Sequence, residues 1–433
     1  MTVFMPGPEL LESPRGRDLT WGHQPRSVGR TDKLPQRVDV AVVGGGLAAI
    51  VLAATLWHAG VQDVVIIDRD GQLGGRFLRR ADILGQRVLR SPYDHHPGAE
   101  GYRDCELLDF ARLHWSALTM LEKREVRMAQ AGHRSVVPLD LFEAYCDHVV
   151  SVHALDRRVW RAEVGEVLPG PAEVVVRTSL GDVTAQTAVL CTGEERTEAP
   201  SSWFSGHRDH VYYWDQEIPT TSVPTVVVGA GLSGAHLVAN SLASNCQVHW
   251  IVRKPSERYQ CADVNASFFR AEGRARFHGT SWKDRLEMMR QQRVASVMFE
   301  FQPLLHEAET RGSLVVHRGN EVVGICESSV QLSDGSVVAG DRVVLALGTR
   351  PNVGSELMSP ELVGLQDGWP DLDEATLAYR AAPRVHVLGA AACMALGPAA
   401  RNIDGHRVGA SRIADSILHY LANSHDRSEP AHA

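Results

Sequence analysis

Two glycine clusters stand out for the chemistry their spacing allows. Gly44-Gly45-Gly46-Leu47-Ala48-Ala49 follows the apolar run Val38–Val43, and Asp68 lies 22 residues beyond Gly46. Gly229-Ala230-Gly231-Leu232-Ser233-Gly234 follows a second apolar run from Thr225, and Arg253 lies 22 residues beyond Gly231, with Lys254 next to it. Each cluster reads as a tight turn between a buried strand and a helix. Gly44 permits the turn, Gly46 lets a pyrophosphate approach the backbone, and Ala49 keeps helix and strand close; Gly229, Gly231 and Gly234 repeat the pattern. The mouth of the helix offers N–H groups and a positive dipole end to an anion. The Asp68 carboxylate suits ribose hydroxyls. At the equivalent position an acid would repel a ribose 2′-phosphate, whereas the Arg253 guanidinium would pair with it and stack on adenine. The spacing predicts two dinucleotide sites, the second for NADPH.

Other residues carry weaker signals. Gly74-Gly75-Arg76 follows Asp68 directly, and spacing alone allows a plain turn there. The loop Tyr93-Asp94-His95-His96 offers two imidazoles that could handle substrate protons or simply cap the loop. Cys191-Thr192-Gly193 and Ala346-Leu347-Gly348-Thr349 are small-residue turns, each closing an apolar strand, and Leu388-Gly389-Ala390-Ala391 ends a third. Phe204, Gly206, His210, Trp214 and Asp215 form an FxGxxxHxxxWD pattern just ahead of the second glycine cluster.

These residues need a frame to hold them. Val38–Val43, a helix Leu47–His58 and a strand Val64–Asp68 read as strand–turn–helix–strand, the start of a parallel doubly wound sheet. Leu139–Val150 has helical periodicity, and Val159–Val164, Val174–Arg177 and Val183–Thr187 read as a small β-meander before the strand 188–193. The pattern then repeats: strand Thr225–Gly229, helix Ala235–Ser244, strand 248–254, a helix around Trp282–Val297, and a meander from Leu314 with Asp334-Gly335 as its hairpin turn. The chain ends in a strand, a glycine-rich loop and a long helix, with Leu396-Gly397-Pro398 expected to open that helix. The expected fold is α/β: two Rossmann-like units, each a three-layer ββα arrangement with a β-meander.

On these motifs the chain resembles the single-component FAD/NADPH-dependent flavoprotein monooxygenases. That resemblance assigns FAD to the first glycine cluster, with Gly74, Gly75 and Arg76 on the flavin nucleotide. It makes the Gly193 and Gly348 turns the crossings between two domains. Gly389 stands where the family often has Gly-Asp on the flavin ribityl chain, and the Asp is missing here. The helix mouth after Leu396 would stabilise negative charge on reduced flavin. FxGxxxHxxxWD resembles the Baeyer–Villiger fingerprint, which flavin-containing monooxygenases share in modified form. The family's Trp after the paired glycines is replaced by Arg76-Phe77, and the length, with Asp263, Asn265, Ser267 and Phe268, resembles the N-hydroxylating enzymes. The implied reaction is flavin reduction by NADPH, reaction with O2, and transfer of one oxygen atom to a nitrogen or other soft nucleophile. The alternatives are ketone oxidation, an electron-transferring reductase and a non-catalytic flavin scaffold. The implied catalytic histidines are His95, His96 and His210.

Bulk properties narrow the setting. The 433 residues carry a net charge of −8 and form no basic tract, which argues against a nucleic-acid partner. Seven cysteines, none in a CxxC pair, argue for reduced thiols and against zinc or a disulfide-reducing centre. No secretory leader, membrane span or metal motif is visible, so a cytoplasmic enzyme acting on a small molecule and O2 is expected, with a homo-oligomer left open. The expected domains are an N-terminal arm (1–36), extended or disordered unless Trp21 packs it down, a first FAD-binding part (37–220), an NADPH-binding unit (221–340), a second FAD-binding part (341–425) and a polar tail (426–433).

Overall fold

A computed structural model of the chain describes residues 7–98, 106–260, 271–292 and 294–425. Strand β1 (Arg37–Val43), helix α1 (Leu47–His58), strand β2 (Val64–Asp68) and helix α2 (Gly75–Ile83) follow one another at the start of the first unit. Strand β3 (Val159–Arg161) and the ten-residue β4 (Gly181–Leu190) come later. The second unit supplies β5 (Thr225–Val228), helix α3 (Leu232–Ala243), β6 (Val248–Val252), β7 (Leu314–Arg318) and β8 (Arg342–Leu345). Strand β9 (Ala382–Val387) and helix α4 (Ile403–His425) return to the first.

The first sheet runs β9-β4-β1-β2-β3, all parallel, with Val42 opposite both Ile66 and Val189. Strands β1 and β2 are near-continuous apolar runs because both faces are covered. Helix α1 is buried almost all round, between the sheet and α4. The second sheet places the short strand Val211–Tyr213 beside β8, then β5, β6 and β7, again all parallel. The expected duplication of architecture is present, and no helix of the described residues is long and apolar enough to cross a membrane.

Several expectations shift. Val159–Arg161 and Leu314–Arg318, read as meander strands, are instead the parallel outer edges of the two sheets; Val159 and Trp160 bury against Ile66 and Ile67. The first meander is Val164–Pro169, Val174–Thr178 and the start of β4, which continues unbroken through 188–190. Strand β8 completes the second sheet beyond residue 340, as does Val211–Tyr213 ahead of 221, so the chain returns to the first sheet only at 378–387. The helix from Trp282 stops at Gln292, and Val297–Met298 pairs with Tyr259–Gln260. The last helix starts at Ile403, not at Pro398: Gly397 (φ 87°) and the extended Asn402 isolate Pro398–Arg401 as a single 3-10 turn.

The N-terminal arm is packed, though Trp21 does not anchor it. Leu10 is buried in the hydrophobic core of the second unit, beside Phe301 and Leu305, while Leu19 and Leu34 belong to the core of the first. Arg17 bonds Asp140 at 2.7 and 2.8 Å and Glu122 at 2.7 and 3.1 Å, and both carboxylates are buried. Trp21 stays half exposed beside His148.

Candidate functional site

The glycine turns lie at the carboxyl ends of the parallel strands, the edge where open α/β sheets take ligands. Gly44 (φ 98°) ends β1, and a Cβ there would stand 2.5 Å from the carbonyl oxygen of Cys191. Gly229 (φ 117°) ends β5, and its Cβ would stand 2.2 Å from the Ala346 carbonyl oxygen. The two units thus use one device: a neighbouring strand presses its backbone into the turn, and only glycine fits. The third position behaves differently. A Cβ on Gly46 would meet no heavy atom of the described residues within 4 Å, and one on Gly231 would meet only Ala295, at 3.9 Å. Both glycines are N-caps, of α1 and α3, in extended conformation and without a side-chain cap. Each helix therefore opens onto space at its positive end, the condition a pyrophosphate requires. Gly234 seats α3 against its strand, since a Cβ there would fall 2.1 Å from the Gly229 carbonyl oxygen; the buried Ala49 is its counterpart in α1. Leu232 and Ser233 form the first turn of α3.

Asp68 closes the first turn. One carboxylate oxygen accepts from the Gly45 N–H at 2.7 Å, and the other from the N–H groups of Asp70 and Gly71, each at 2.9 Å. The carboxylate is fixed at the sheet edge beside the α1 mouth. Gly74 (φ 71°) caps α2, donates its N–H to the Gly45 carbonyl at 2.7 Å and starts the turn into Gly75. Arg76 departs from expectation: its guanidinium makes a two-pronged pair with Glu195 at 2.6 and 3.0 Å. The cation nearest Gly74 comes from the arm. Arg26 bonds the Leu73 carbonyl at 2.9 Å and pairs with Asp147. Arg253 follows β6 beside the Gly229 turn with its side chain 72% exposed, and among the described residues it pairs with Glu321, at 4.0 Å; Lys254 is exposed next to it.

Gly193 and Gly348 are where the chain crosses. Glu194–Arg196 and Thr349–Pro351 pair antiparallel as a two-stranded ribbon between the units, each strand starting immediately after one of these glycines. Around it, Arg80 bonds Asp215 at 3.1 Å and lies 4.9 Å over the Trp214 ring, and Arg196 reaches Asp215 at 3.3 Å. Burial and the nearby Arg76 pull the Arg80 pKa down, against the pull of Asp215. The Trp214-Asp215 half of the FxGxxxHxxxWD pattern therefore ties the units together. His210, in the other half, is corrected: it is exposed, one residue before the strand Val211–Tyr213. That is the opposite end of the second sheet from Gly229.

The two loop histidines separate. The His95 Nε2 lies 3.3 Å from an Asp404 carboxylate oxygen at the first turn of α4, with the ring 6% exposed. His96 turns into the aromatic core, its Nδ1 3.2 Å from the Tyr145 hydroxyl, and its expected catalytic role is withdrawn on that ground. Gly389 (φ 108°) follows β9, and the Leu388 N–H bonds Leu190, which aligns Gly389 with Gly44 and Gly193 along the same edge. Leu396 is buried behind it. One residue at this edge went unnoticed in the sequence: His406, buried on the first turn of α4, with its Nε2 3.8 Å from the Cβ position of Gly389. Burial pulls its pKa down to about 4, so the imidazole is neutral. Asp263, Asn265, Ser267 and Phe268 lie outside the described residues.

Residues 42–104 match the family model of an NAD(P)-binding Rossmann-like domain. No curated protein matches the chain by sequence. Solved structures do share its fold. An ornithine N-hydroxylase of Kutzneria sp. 744, determined with reduced FAD, NADP+ and L-ornithine, superposes with a TM-score of 0.71 at 17% identity, covering 89% of this chain and 100% of that one. A flavin-containing monooxygenase of Stenotrophomonas maltophilia gives 0.60 at 19%, with 89% and 100% covered. A bacillithiol disulfide reductase of Bacillus cereus gives 0.56 at 16%, with 89% and 99% covered. The chain thus has the two-nucleotide-fold architecture found in flavoprotein monooxygenases.

Proposed function

We propose that the chain is an FAD- and NADPH-dependent monooxygenase that places one oxygen atom from O2 on a small molecule, at a nitrogen or another soft nucleophile. The observation that carries this reading is the pair of open helix mouths at Gly46 and Gly231, each at the edge of its own parallel sheet. The fold likeness to an ornithine N-hydroxylase at a TM-score of 0.71 favours nitrogen. When bound, FAD supplies the hydride acceptor and the dioxygen chemistry.

The chain's own residues do the rest. Gly44 to Gly46 and the α1 dipole hold the flavin pyrophosphate, and Asp68 takes the ribose hydroxyls. Gly229 to Gly234 hold the second pyrophosphate. Arg253 and Lys254 take the 2′-phosphate, selecting NADPH. His95, fixed by Asp404, is the group positioned to move a proton of the substrate, and its burial keeps bulk water away. The Trp214-Asp215 tie and the ribbon keep both nucleotides in one frame.

The likeness of residues 204–215 to the Baeyer–Villiger fingerprint favours ketone oxidation as a second reading. Turnover with NADPH under isotopically labelled O2, against amines, thioethers and ketones, separates the possibilities. Label in a hydroxylated amine supports the first reading and label in an ester the second. NADPH consumption with no label in any product supports a reductase.

A further inference from the structure

At the amino edge of the second sheet, away from the glycine turns, a buried cation has no acid paired with it. Arg342 opens β8 opposite Thr225, the first residue of β5, whereas Gly229 follows the other end of β5. The residue is 7% exposed. Its Nη1 donates to the Pro219 carbonyl at 2.6 Å and its Nη2 to the Thr221 carbonyl at 2.5 Å. Among the described residues no carboxylate pairs with it, and its Nε–H has no partner, yet that N–H is not sealed off from open space. Two carbonyls occupy two of the five guanidinium donors but bring no net charge, so the cation stays uncompensated. A carboxylate is the partner that the planar fork of an arginine fits.

Arg342 lines a cleft of about 390 Å³ where the two units meet. Ile83, the last residue of α2, comes from the first unit; Leu237 of α3 and Val344 of β8 come from the second, and Ile218 from the linker ahead of β5. These four give the cleft apolar walls. Asn240 holds the units together at the same place, its side-chain amide donating to the Leu84 carbonyl at 2.9 Å. Apolar walls with one convergent charged group are the usual form of a small-molecule site. The acid on the cleft, Glu217, is exposed and makes no ion pair with Arg342 among the described residues. Its charge repels a dianion more than a monoanion, which disfavours phosphate. Arg342 also borders a second cleft, with His210, Tyr212 and Asp341, but the walls there are mainly polar.

We propose that this cleft is a ligand site separate from both nucleotide sites, for a small monocarboxylate with an apolar tail, as in a medium-chain fatty acid. The carboxylate pairs with Arg342, and the tail lies against Ile83, Ile218, Leu237 and Val344. Such an occupant bridges α2 and α3 and so stabilises the two units in contact. The site stands independently of the monooxygenase reading, because neither glycine turn takes part in it.

Calorimetric titration of the purified full-length protein with octanoate, octan-1-ol and inorganic phosphate tests this, with thermal unfolding as a second readout. Octanoate is expected to bind one per chain, at least tenfold more tightly than octanol, and to raise the melting temperature; phosphate does not compete with it. Arg342→Met weakens octanoate at least tenfold and leaves octanol unchanged. Because Arg342 also holds the Pro219 and Thr221 carbonyls, a second variant keeps it in place: Ser241→Phe, on α3, fills the cleft and abolishes octanoate binding in a protein that folds normally. If Arg342→Met does not fold, the octanoate and octanol comparison and Ser241→Phe decide. The proposal is overturned by a wild-type protein that shows no saturable octanoate binding, by octanol binding as tightly as octanoate, or by affinity unchanged in Ser241→Phe. Displacement of octanoate by phosphate or by NADP+ overturns it as well, since the anion would then sit elsewhere.

Discussion

Arg80 on α2 of the first unit and Asp215 at the start of the second meet at 3.1 Å, and the same guanidinium covers the Trp214 ring. Arg196, on the ribbon, holds the other Asp215 oxygen. One carboxylate thus bridges two arginines at the joint between the nucleotide units, and Arg196 also pairs with Glu198 at 2.6 Å. Asp215→Asn leaves the partly buried Arg80 guanidinium without its acid while Arg196 keeps Glu198, and a loss of about 2 kcal/mol in unfolding free energy is expected. If the joint also sets the approach of the two nucleotides, the rate of flavin reduction by NADPH falls while FAD content stays constant. Stopped-flow reduction and flavin content measure both.

Gly44 and Gly46 are separated by one residue and predict opposite phenotypes. Gly44→Ala forces a left-handed backbone position and a clash with the Cys191 carbonyl, and costs about 3 kcal/mol of stability. Gly46→Val adopts an ordinary conformation and points into open space, so the protein folds normally and fails to retain FAD. Circular dichroism melts and flavin content separate the two. A yellow Gly46→Val protein would contradict the assignment.

Arg253→Ala removes the guanidinium expected on the 2′-phosphate. Charge-assisted hydrogen bonds contribute about 1.5–3 kcal/mol, so the KM for NADPH rises on the order of tenfold to a hundredfold while the KM for NADH holds. Equal losses for both coenzymes would remove the 2′-phosphate role.

The arm makes a stability prediction. Arg17 is the cation on two buried carboxylates, Glu122 and Asp140. Arg17→Met leaves both charges buried without it and costs about 3–5 kcal/mol. Chemical denaturation checks this, and a change under about 1 kcal/mol would mean that the arm is loosely held.

Acid stability has a defined window. Burial pulls the pKa of His236 and of His386 down to about 4. Unfolded, each titrates near about 6.5, so between these values the unfolded chain binds more protons than the folded one. Their contribution, about 3 kcal/mol each, is therefore complete above about pH 6.5 and is lost as the pH falls towards 4. His386→Gln should reduce the slope of unfolding free energy against pH in this window by close to one proton. An unchanged slope would show that His386 does not titrate on unfolding.

What the sequence made legible follows physical range. Gly44, Gly46 and Asp68 were readable because a strand, a turn and a helix of fixed rise place them together within one local unit, and Gly229 to Arg253 repeated it. The Gly193 and Gly348 turns were readable as a pair because each ends an apolar strand. Contacts made across a hundred residues were not. Arg76 pairs with Glu195, and Arg17 with Glu122 and Asp140, through tertiary packing that leaves no local pattern. His210 shows the converse: a residue inside a recognised pattern can lie on the surface while its neighbours Trp214 and Asp215 make the contacts. His406 meets Gly389 only through tertiary packing, which leaves no local pattern either.

The central claim is that two helix mouths hold two different dinucleotides close enough to exchange a hydride. Anaerobic addition of NADPH to the purified holoprotein, followed by the visible absorbance of flavin, tests it most directly. The account predicts that the flavin band bleaches on NADPH and returns when O2 is admitted. A protein that takes up no flavin, or whose bound flavin keeps its colour under excess NADPH, would contradict it.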